Sequence, residues 1–359
     1  MSRPPLRVLV VGGGVAGLLH AQLVLDRSET DGREVDLVWA VLRDGSATAS
    51  RSGGLALRYA SPDPRAVGWS AASPAVGLRL ADRHPVVAAH LGTTRALLVS
   101  DRAPLAGYAG DVVRPADSGL AHAHGLLAEP GPLWHTCGLL PRWAEQLAAD
   151  PRVRRVTLAE PLASTADLVD LHTDSDADVT LACLGLGAHT LGDRSLAARL
   201  GVLLTGPLPP GLHAEHAVID DDDEEHPSYT VPHATAGKAH LHVGGTYLPV
   251  DDPAAWDEPS LLAARARATA PRVLAAAKER FPALAEWRPD GAGAWWGLRP
   301  VRPEVALGRL EERAGGHGGT VVVAHGWGGS GWTIGPAAAD EVAAAVVEDR
   351  LDELPVWER

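Results

Sequence analysis

A glycine-rich turn near the N-terminus limits most strongly what this chain can fold into. Leu6–Val11 is an apolar run typical of a buried strand, glycines follow at 12–14, and a helix-forming stretch begins at Val15. Residues 35–41 then predict a second buried strand. A strand, a glycine turn, a helix and a strand within about 40 residues predict a βαβ unit with parallel strands and a right-handed crossover.

The first glycines have the GxGxxG spacing of a dinucleotide-binding turn. Gly12 permits the tight turn, Gly14 lets a pyrophosphate approach the backbone, and Gly17 lets the helix pack closely on the strand. The N–H groups of the first helical turn, at Val15 and Ala16, are then available to bind phosphate. We therefore predict a dinucleotide site; the alternative is a glycine turn in an unrelated α/β protein.

One part of this motif is missing. In a dinucleotide site, an acidic residue roughly 20 residues further on, near the end of the second strand, binds the ribose hydroxyls. Residues 40–42 are apolar here, the nearest acid is Asp44, after Arg43, and Asp36 lies too early in the strand. Either Asp44 reaches back to the ribose, or other groups hold it.

Composition narrows the class of protein. The chain has 359 residues, of which 46% are hydrophobic and 21% charged, as in a soluble globular protein of two domains or one large one. The net charge of −13 argues against nucleic acid or an anionic membrane surface as a partner. The N-terminal apolar run is too short for a signal peptide and no stretch approaches the length of a membrane span, which predicts a cytoplasmic protein.

Cysteine and histidine usage gives no metal motif. Cys137 and Cys183 form no CxxC pair, so neither a disulfide scaffold nor a structural zinc site is expected. His122 and His124 share a face if their segment is extended, as do His240 and His242, but no third ligand lies at metal-binding spacing. We predict that the chain has no metal site.

Further elements are predicted along the chain. Residues 60–134 are rich in Pro, Gly and Ser and predict only short strands, such as 95–99. The other predicted elements are helices at 141–149, 260–281 and about 336–351, and strands at 178–184, 239–243 and 320–324.

The C-terminal region carries the most specific pattern. GLRPVRP at 297–303 precedes the glycine-rich stretch HGWGGSGWTIG at 325–335, and a helix follows. This resembles the D-amino-acid oxidase (DAO) family of FAD enzymes, in which a GxRPxRP segment precedes an HGGxGxT loop and a final helix. Further matches, in the family's order, are SRSGG at 50–54, DVTLACLG at 178–185, PSYTVP at 227–232 and VGGT at 243–246.

The resemblance implies an α/β fold of two interleaved domains. A Rossmann-type FAD-binding domain, marked by GxGxxG, is expected from residues 1–60, 136–195 and 293–359. An α+β substrate-binding domain, built on a mixed or antiparallel sheet, is expected from 61–135 and 196–292.

The resemblance also implies roles for individual residues. Arg299 has the fork of donors that suits a carboxylate and would anchor the substrate. Tyr229 would add a hydroxyl donor, and the carbonyl of Gly329 would face the substrate amine. The alternatives are a structural salt bridge for Arg299 and a half-buried core position for Tyr229.

The expected FAD contacts lie in the glycine turns, in the segment after the second strand and at the start of the final helix, whose dipole would stabilise the reduced flavin. They are Gly12, Gly14, Val15, Ala16, Gly17, Arg43, Asp44, Ser50, Arg51, Gly53, Gly54, Gly185, Gly328, Gly331, Trp332 and Thr333.

Three hypotheses follow from the resemblance. The first is an FAD-dependent oxidase of D-amino acids, in which hydride passes from the substrate α-carbon to flavin N5, the imine hydrolyses to a keto acid, and O2 becomes H2O2. The second is a tailoring oxidase of the same fold that acts on a secondary or cyclic amine or a biosynthetic intermediate. The third, suggested by the missing ribose acid, is a non-catalytic protein that binds flavin or has lost it. The partners are then a small-molecule amine and O2, and a homodimer is left open.

Several segments depart from the family pattern. Residues 201–211 lack its Arg-Gly-Gln stretch, 55–58 lack its polar residue, and an acidic block at 220–225 replaces a second tyrosine before Tyr229. Such a charge run predicts a solvated loop. The sharper hypothesis is that this loop covers the active site and selects cationic or bulky amines.

Overall fold

The computed structural model describes residues 3–42, 48–57, 63–102, 110–114, 120, 122–210, 212, 216–220, 222–223, 227–235, 238–291, 294–310 and 319–357. Within them the chain has a mixed α/β fold, which confirms the predicted fold class. The strands are β1 (Leu6–Val11), β2 (Val35–Leu42), β3 (Leu91–Ser100), β4 (Gly110–Val113), β5 (His124–Ala128), β6 (Gly131–Trp134), β7 (Val153–Leu158), β8 (Val179–Ala182), β9 (Ala197–Pro207), β10 (His216–Asp220), β11 (Ser228–Thr235), β12 (Lys238–Gly244), β13 (Leu248–Val250), β14 (Trp295–Leu310), β15 (Thr320–Trp327) and β16 (Val356–Trp357). The helices are α1 (Val15–Asp31), α2 (Pro64–Arg83), α3 (Pro85–Ala88), α4 (Leu139–Ala148), α5 (Thr165–Asp174), α6 (Pro259–Arg280) and α7 (Gly331–Val347).

One part of the sheet is parallel, with the strand order β15-β8-β1-β2-β7. In register, Val10 of β1 lies between Trp39 of β2 and Leu181 of β8. The apolar sequences of these strands suit burial on both faces, as parallel sheets require. The predicted βαβ unit is present.

The other part of the sheet is mixed, with the order β4-β5-β3-β10-β11-β12-β9-β14. Its pairs are antiparallel except for β10 and β3, which run parallel. Long β14 joins the two parts, because Trp295–Val301 pair with β9 while Val301 and Ala306–Arg309 pair with β15. The register shifts between Val301 and Ala306, within the proline-rich segment.

Helices cover one face of the parallel part. α1 and α2 both pack against α7. Leu19, Val24, Val342 and Trp143 are buried in the core that these helices share with the strands. α1 ends where Gly32 takes a left-handed conformation (φ 65°), a common helix stop.

A second core lies under the mixed part, where α6 packs on β9, β11 and β12. Phe281, Leu241 and Leu262 are buried in it. The observed α6 and β12 agree with the predicted helix at 260–281 and strand at 239–243 to within one residue at each end.

Four helices differ from the sequence prediction: α2, α3 and α5 were not predicted, and α7 has a different start. Residues 60–134 were predicted to hold only short strands, but α2 lies among them: the Asp63 side chain caps it, Pro64 occupies its first position, and it tolerates Pro74 inside. α7 begins at Gly331 and not at about Pro336. Pro336 lacks one backbone hydrogen bond within α7, but the helix is buried along most of its length, and that burial stabilises it.

Among the described residues, no helix combines the length and the apolar character that crossing a membrane would require.

Candidate functional site

The glycine turn after β1 has no room for side chains at two of its positions. Gly12 has φ of 133°, and a Cβ there would lie 2.2 Å from the carbonyl oxygen of Cys183. A Cβ on Gly17 would lie 2.0 Å from the carbonyl oxygen of Gly12. The turn is therefore as tight as its spacing predicted.

The start of α1 is open. No described atom lies within 4 Å of where a Cβ on Gly14 would be, and no side chain caps the helix there. The first helical hydrogen bond runs from the N–H of Leu18 to the carbonyl of Gly14, so the N–H groups of Val15, Ala16 and Gly17 have no partner in the helix. This open cradle of donors fits the pyrophosphate of a dinucleotide.

The start of α7 lies against the start of α1. A Cβ on Gly331 would lie 3.1 Å from Cγ1 of Val15. Gly328, at φ 56°, donates its N–H to the carbonyl of Pro300 over 2.7 Å. The predicted cofactor residues of the first and last glycine segments therefore converge.

The segment after β2 also contacts the start of α7. Trp332 donates from Nε1 to the carbonyl of Ala49 over 3.1 Å, and the hydroxyl of Thr333 donates to the carbonyl of Leu55 over 3.2 Å. Ala49 belongs to the short helical turn Thr48–Arg51, which also holds the predicted residues Ser50 and Arg51.

The structure also describes the surroundings of three further glycines that are predicted to contact FAD. Gly54 has φ of 68°, and a Cβ there would lie 2.0 Å from the carbonyl oxygen of Trp134. Gly53 lies beside the ring of Tyr229, and Gly185 has φ of 58° with open space beside it. Arg43 and Asp44 lie outside the described residues, so the predicted ribose contact has no structural description.

The predicted substrate residues form a second cluster on the mixed part of the sheet. The Arg299 guanidinium lies over Gly201 of β9, where a Cβ would come within 2.6 Å of Cζ. Arg299 donates to the carbonyl of Thr246 and lies 5.4 Å from the ring centre of Tyr247. A Cβ on Gly329 would lie 3.6 Å from Nε of Arg299, which places the glycine loop directly beside this cation.

Tyr229 completes this cluster from β11. Its ring lies against Gly244 and Gly245, since a Cβ on Gly244 would come within 2.4 Å of the hydroxyl oxygen. Burial raises the pKa of Tyr229, while the charge of Arg299 and a hydrogen bond from its side chain oppose that rise. The phenol therefore remains protonated at neutral pH. The structure thus brings together Arg299, Tyr229 and Gly329.

A buried ionic network supports the strand that carries Arg299. Asp193 is fully buried and lies 2.7 Å from Nε2 of His325 and 3.2 Å from Nε of Arg302. Burial would raise the pKa of Asp193, but the hydrogen bond from His325 and the Arg302 charge hold it below its ordinary value. No sequence pattern indicates this network, although Arg302 and His325 lie in the GLRPVRP and HGWGGSGWTIG motifs.

Histidines line the face of β11 and β12 beyond Tyr229. His233 and His242 are buried with ring centres 4.2 Å apart, and His240 stacks on His233. Burial, with the neighbouring imidazoles, lowers the pKa of His233 to about 2 and that of His242 to about 3. The imidazoles of His233 and His242 are therefore neutral at pH 7. Cys137 lies against them, with Sγ 3.8 Å from Nε2 of His242.

Part of the acidic block is not the solvated loop that its sequence predicts. Asp220 is buried and pairs with Arg280 over 2.9 Å and with His122 over 3.1 Å. Asp222 accepts hydrogen bonds from the hydroxyl of Ser100 and the N–H of Asp101. These partners hold the start of the block against neighbouring segments.

Comparisons with known proteins agree on the fold. The sequence profile of the DAO family, described as FAD dependent oxidoreductase, matches residues 7–345. No curated protein matches the sequence. Among solved structures, glycine oxidase from Bacillus cereus is 14% identical with a TM-score of 0.67, covering 99% of both chains. FAD-bound L-alpha-glycerophosphate oxidase from Mycoplasma pneumoniae is 15% identical, with a TM-score of 0.62 and coverage of 96% of this chain and 95% of its own. L-amino acid deaminase from Proteus myxofaciens is 13% identical, with a TM-score of 0.62 and coverage of 98% and 92%. At these identities the similarity shows the shared fold.

Proposed function

Because the chain belongs to the DAO family of FAD dependent oxidoreductases, and FAD is its cofactor, we propose that it is an oxidase of D-amino acids or related amines. The substrate would lose a hydride from its α-carbon and a proton from its nitrogen. The imine would then hydrolyse to a keto acid and ammonia, and O2 would be reduced to hydrogen peroxide.

One observation carries this proposal: Arg299 and Tyr229 converge beside the glycine loop that leads into α7. A guanidinium and a phenol side by side are suited to binding one carboxylate, the first by charge and both by hydrogen bonds. The loop beside them contributes Gly329, whose backbone carbonyl is the acceptor we assign to the substrate amine. An α-amino acid carries both of these groups on one carbon atom.

FAD binding is assigned to the segments that meet at the starts of α1 and α7. The free N–H groups after Gly14 would hold the pyrophosphate, and the start of α7 would face the flavin ring. The predicted contacts named above, including Arg43 and Asp44, remain our assignments. When bound, FAD supplies the acceptor for the hydride that leaves the substrate α-carbon.

The protein's own task is positioning. Arg299 is held by the carbonyl of Thr246 and by the absence of a side chain at Gly201, so its donors are oriented before substrate arrives. Such preorganisation would hold the α-carbon of the substrate in a reactive geometry. Under this proposal, no side-chain base needs to contact the hydrogen on that carbon.

We also propose the assignment of two domains that the family resemblance implies. Residues 1–60, 136–195 and 293–359 would bind FAD, and 61–135 and 196–292 would bind the substrate. The two buried cores support this division, although α2 packs on α7 and so reaches from the second group to the core of the first.

A tailoring oxidase for a secondary or cyclic amine, or for a biosynthetic intermediate, is the second candidate. The observation that favours it is the line of buried imidazoles beyond Tyr229. An oxidase of simple apolar amino acids needs an apolar pocket for the side chain, whereas His233 and His242 would present nitrogen atoms to it.

The test is an anaerobic absorbance scan of the purified protein, freed of unbound FAD, with single D-amino acids, each matched by its L-enantiomer, and with secondary and cyclic amines. Bleaching of the flavin by D-amino acids alone would support the first proposal. A flavin that is bleached only by secondary or cyclic amines would support the second. Protein that stays colourless after incubation with FAD would overturn both.

A further inference from the structure

Three side chains that can bind a metal ion converge on the histidine-lined face of β11 and β12. They come from separate places: Cys137 precedes α4, and His240 and His242 alternate along β12, so both point to one face of the sheet. One ligand atom from each lies within 4.8 Å of the other two. Cys137 and His242 are 105 residues apart in the sequence, so no local spacing reveals the group.

The spacing of these atoms is close to that of a coordination shell. Zinc–sulfur bonds of about 2.3 Å and zinc–nitrogen bonds of about 2.0 Å at a tetrahedral angle place sulfur and nitrogen roughly 3.6 Å apart. The observed separation between Sγ of Cys137 and Nε2 of His242 is 3.8 Å. The remaining separations, up to 4.8 Å, would close by side-chain rotation.

The surroundings offer nitrogen atoms that need a partner. His242 is fully buried, and its Nδ1 makes no hydrogen bond of normal geometry among the described residues, although the ring interacts with the backbone of Ser52. Nε2 of His233, which is 2% exposed and packs on His242, likewise makes no hydrogen bond of normal geometry among them. A buried polar atom without a partner costs about 1–3 kcal/mol. An ion bound through Nε2 of His242 would not satisfy Nδ1 of the same ring, so an ordered water would have to remove that cost, and Nε2 of His233 could meet a water or ligand group in the ion's fourth position.

We propose that Cys137, His240 and His242 form a binding site for one divalent metal ion of the zinc type. A thiolate with two imidazoles selects zinc and similar borderline ions over magnesium and calcium, which prefer oxygen ligands. The Cys137 proton passes to solvent as the Sγ–metal bond forms. Three protein ligands leave a fourth position for water or a ligand group.

The location gives this site its functional interest. In the register of β11 and β12, Tyr229 pairs with Gly244, Val231 with His242, and His233 with His240. His242 therefore lies on the same face as Tyr229, about 7 Å further along the strands. An ion here would lie beside the proposed substrate cluster but would share no ligand with it, so this inference does not depend on the proposed oxidase activity.

The experiment is a calorimetric titration of tag-free, FAD-loaded protein with zinc chloride, after removal of metal by a chelator and dialysis. We expect one ion per chain. The Cys137→Ser and His242→Ala variants should each bind at least about 100-fold more weakly, since loss of an outer-shell partner alone costs up to that much. The control is His124→Ala, which removes an exposed histidine from β5.

A second measurement keeps the proposal falsifiable if a variant fails to fold. Wild-type protein titrated with cobalt(II) should develop ligand-field absorption at wavelengths longer than those the flavin absorbs, with the intensity of tetrahedral thiolate coordination. Stoichiometric binding with this spectrum would support the site. No zinc binding by the wild type, equal affinity in Cys137→Ser, or an octahedral cobalt spectrum would overturn it. None of these readouts requires catalytic turnover.

Discussion

A side chain at position 17 would overlap the carbonyl oxygen of Gly12, because the Cβ would lie 2.0 Å from that atom. The first turn of α1 thus packs directly against the backbone of the glycine segment that precedes the helix. Gly14, between them, has open space in the same direction. The two glycines therefore serve different purposes, one in packing and one in leaving room for a ligand.

We predict that Gly17→Ala destabilises the protein by about 1–3 kcal/mol, the usual cost of an overpacked site, and lowers its FAD content. Gly14→Ala, the matched control, should keep the unfolding free energy and weaken only FAD binding. Chemical denaturation of apoprotein and fluorimetric FAD titration measure the two effects. Equal stability of the two variants would contradict the packing argument.

Arg299→Ala is predicted to raise the KM for a carboxylate-bearing substrate by about 10- to 100-fold, because a hydrogen-bonded charge contributes roughly 1.5–3 kcal/mol. Steady-state oxygen consumption measures this change. An amine substrate without a carboxylate is the control, since its KM should stay the same. An unchanged KM for the carboxylate substrate would rule out the anchoring role.

Gly201→Ala tests the same cation without removing it. The new methyl group would meet the Arg299 guanidinium, 2.6 Å from Cζ, and displace it, so the KM should rise as in Arg299→Ala but by less. Gly68→Ala, in α2, is the control, because nothing lies within 4 Å of its Cβ position. If both alanine variants keep wild-type kinetics, the orientation of Arg299 does not depend on Gly201.

Asp193→Asn is predicted to cost about 3 kcal/mol of unfolding free energy, because it leaves the Arg302 charge and His325 without their buried carboxylate. Asp111→Asn is the control: its ion pair with Arg95 is exposed and should contribute less than about 1 kcal/mol. Urea denaturation at pH 7 compares them. Similar losses in the two variants would argue against a buried ionic network.

Stability should fall in mild acid, and His20 is one cause. Burial lowers its pKa from 6.5 to about 4, so the unfolded chain binds the proton more tightly than the folded protein. The contribution of neutral His20 is complete above pH 6.5 and is lost as the pH falls towards 4; at pH 5 the loss is about 2 kcal/mol. His20→Leu, which does not titrate, should flatten this dependence by that amount in denaturation at pH 7 and pH 5, whereas His124→Ala should not. An identical pH dependence in His20→Leu would contradict the burial argument.

The sequence predicted those parts of the fold that depend on local patterns. β1 was predicted with its observed bounds, because an apolar run that ends at a glycine turn is typical of a buried strand. α2 was missed because its prolines and serines are typical of loops, while Pro64 in fact begins the helix and Asp63 caps it. Pro336 suits a helix start in the sequence, but α7 begins at Gly331, and packing against α1 and α2 stabilises the turn before the proline.

The candidate site was predictable where a motif carried it and not where distant segments meet. Family motifs predict Arg299 and Tyr229, and the structure brings them together, while their roles stay a prediction. Only one sign of the group formed by Cys137, His240 and His242 is visible in the sequence, namely the alternation of the two histidines. The cysteine comes from another part of the chain, so no spacing links it to them. Asp193 gave no sequence signal at all, because its partners lie more than a hundred residues further along the chain.

Strand β14 has a mechanical consequence. Its first half is hydrogen-bonded to β9 and its second half to β15, so the parallel and mixed parts of the sheet share one backbone ladder. Hinge bending between them would break these hydrogen bonds, unlike domain closure about a flexible connection. The angle between the two parts should therefore stay constant, and any rearrangement on substrate binding should be confined to segments outside the ladder.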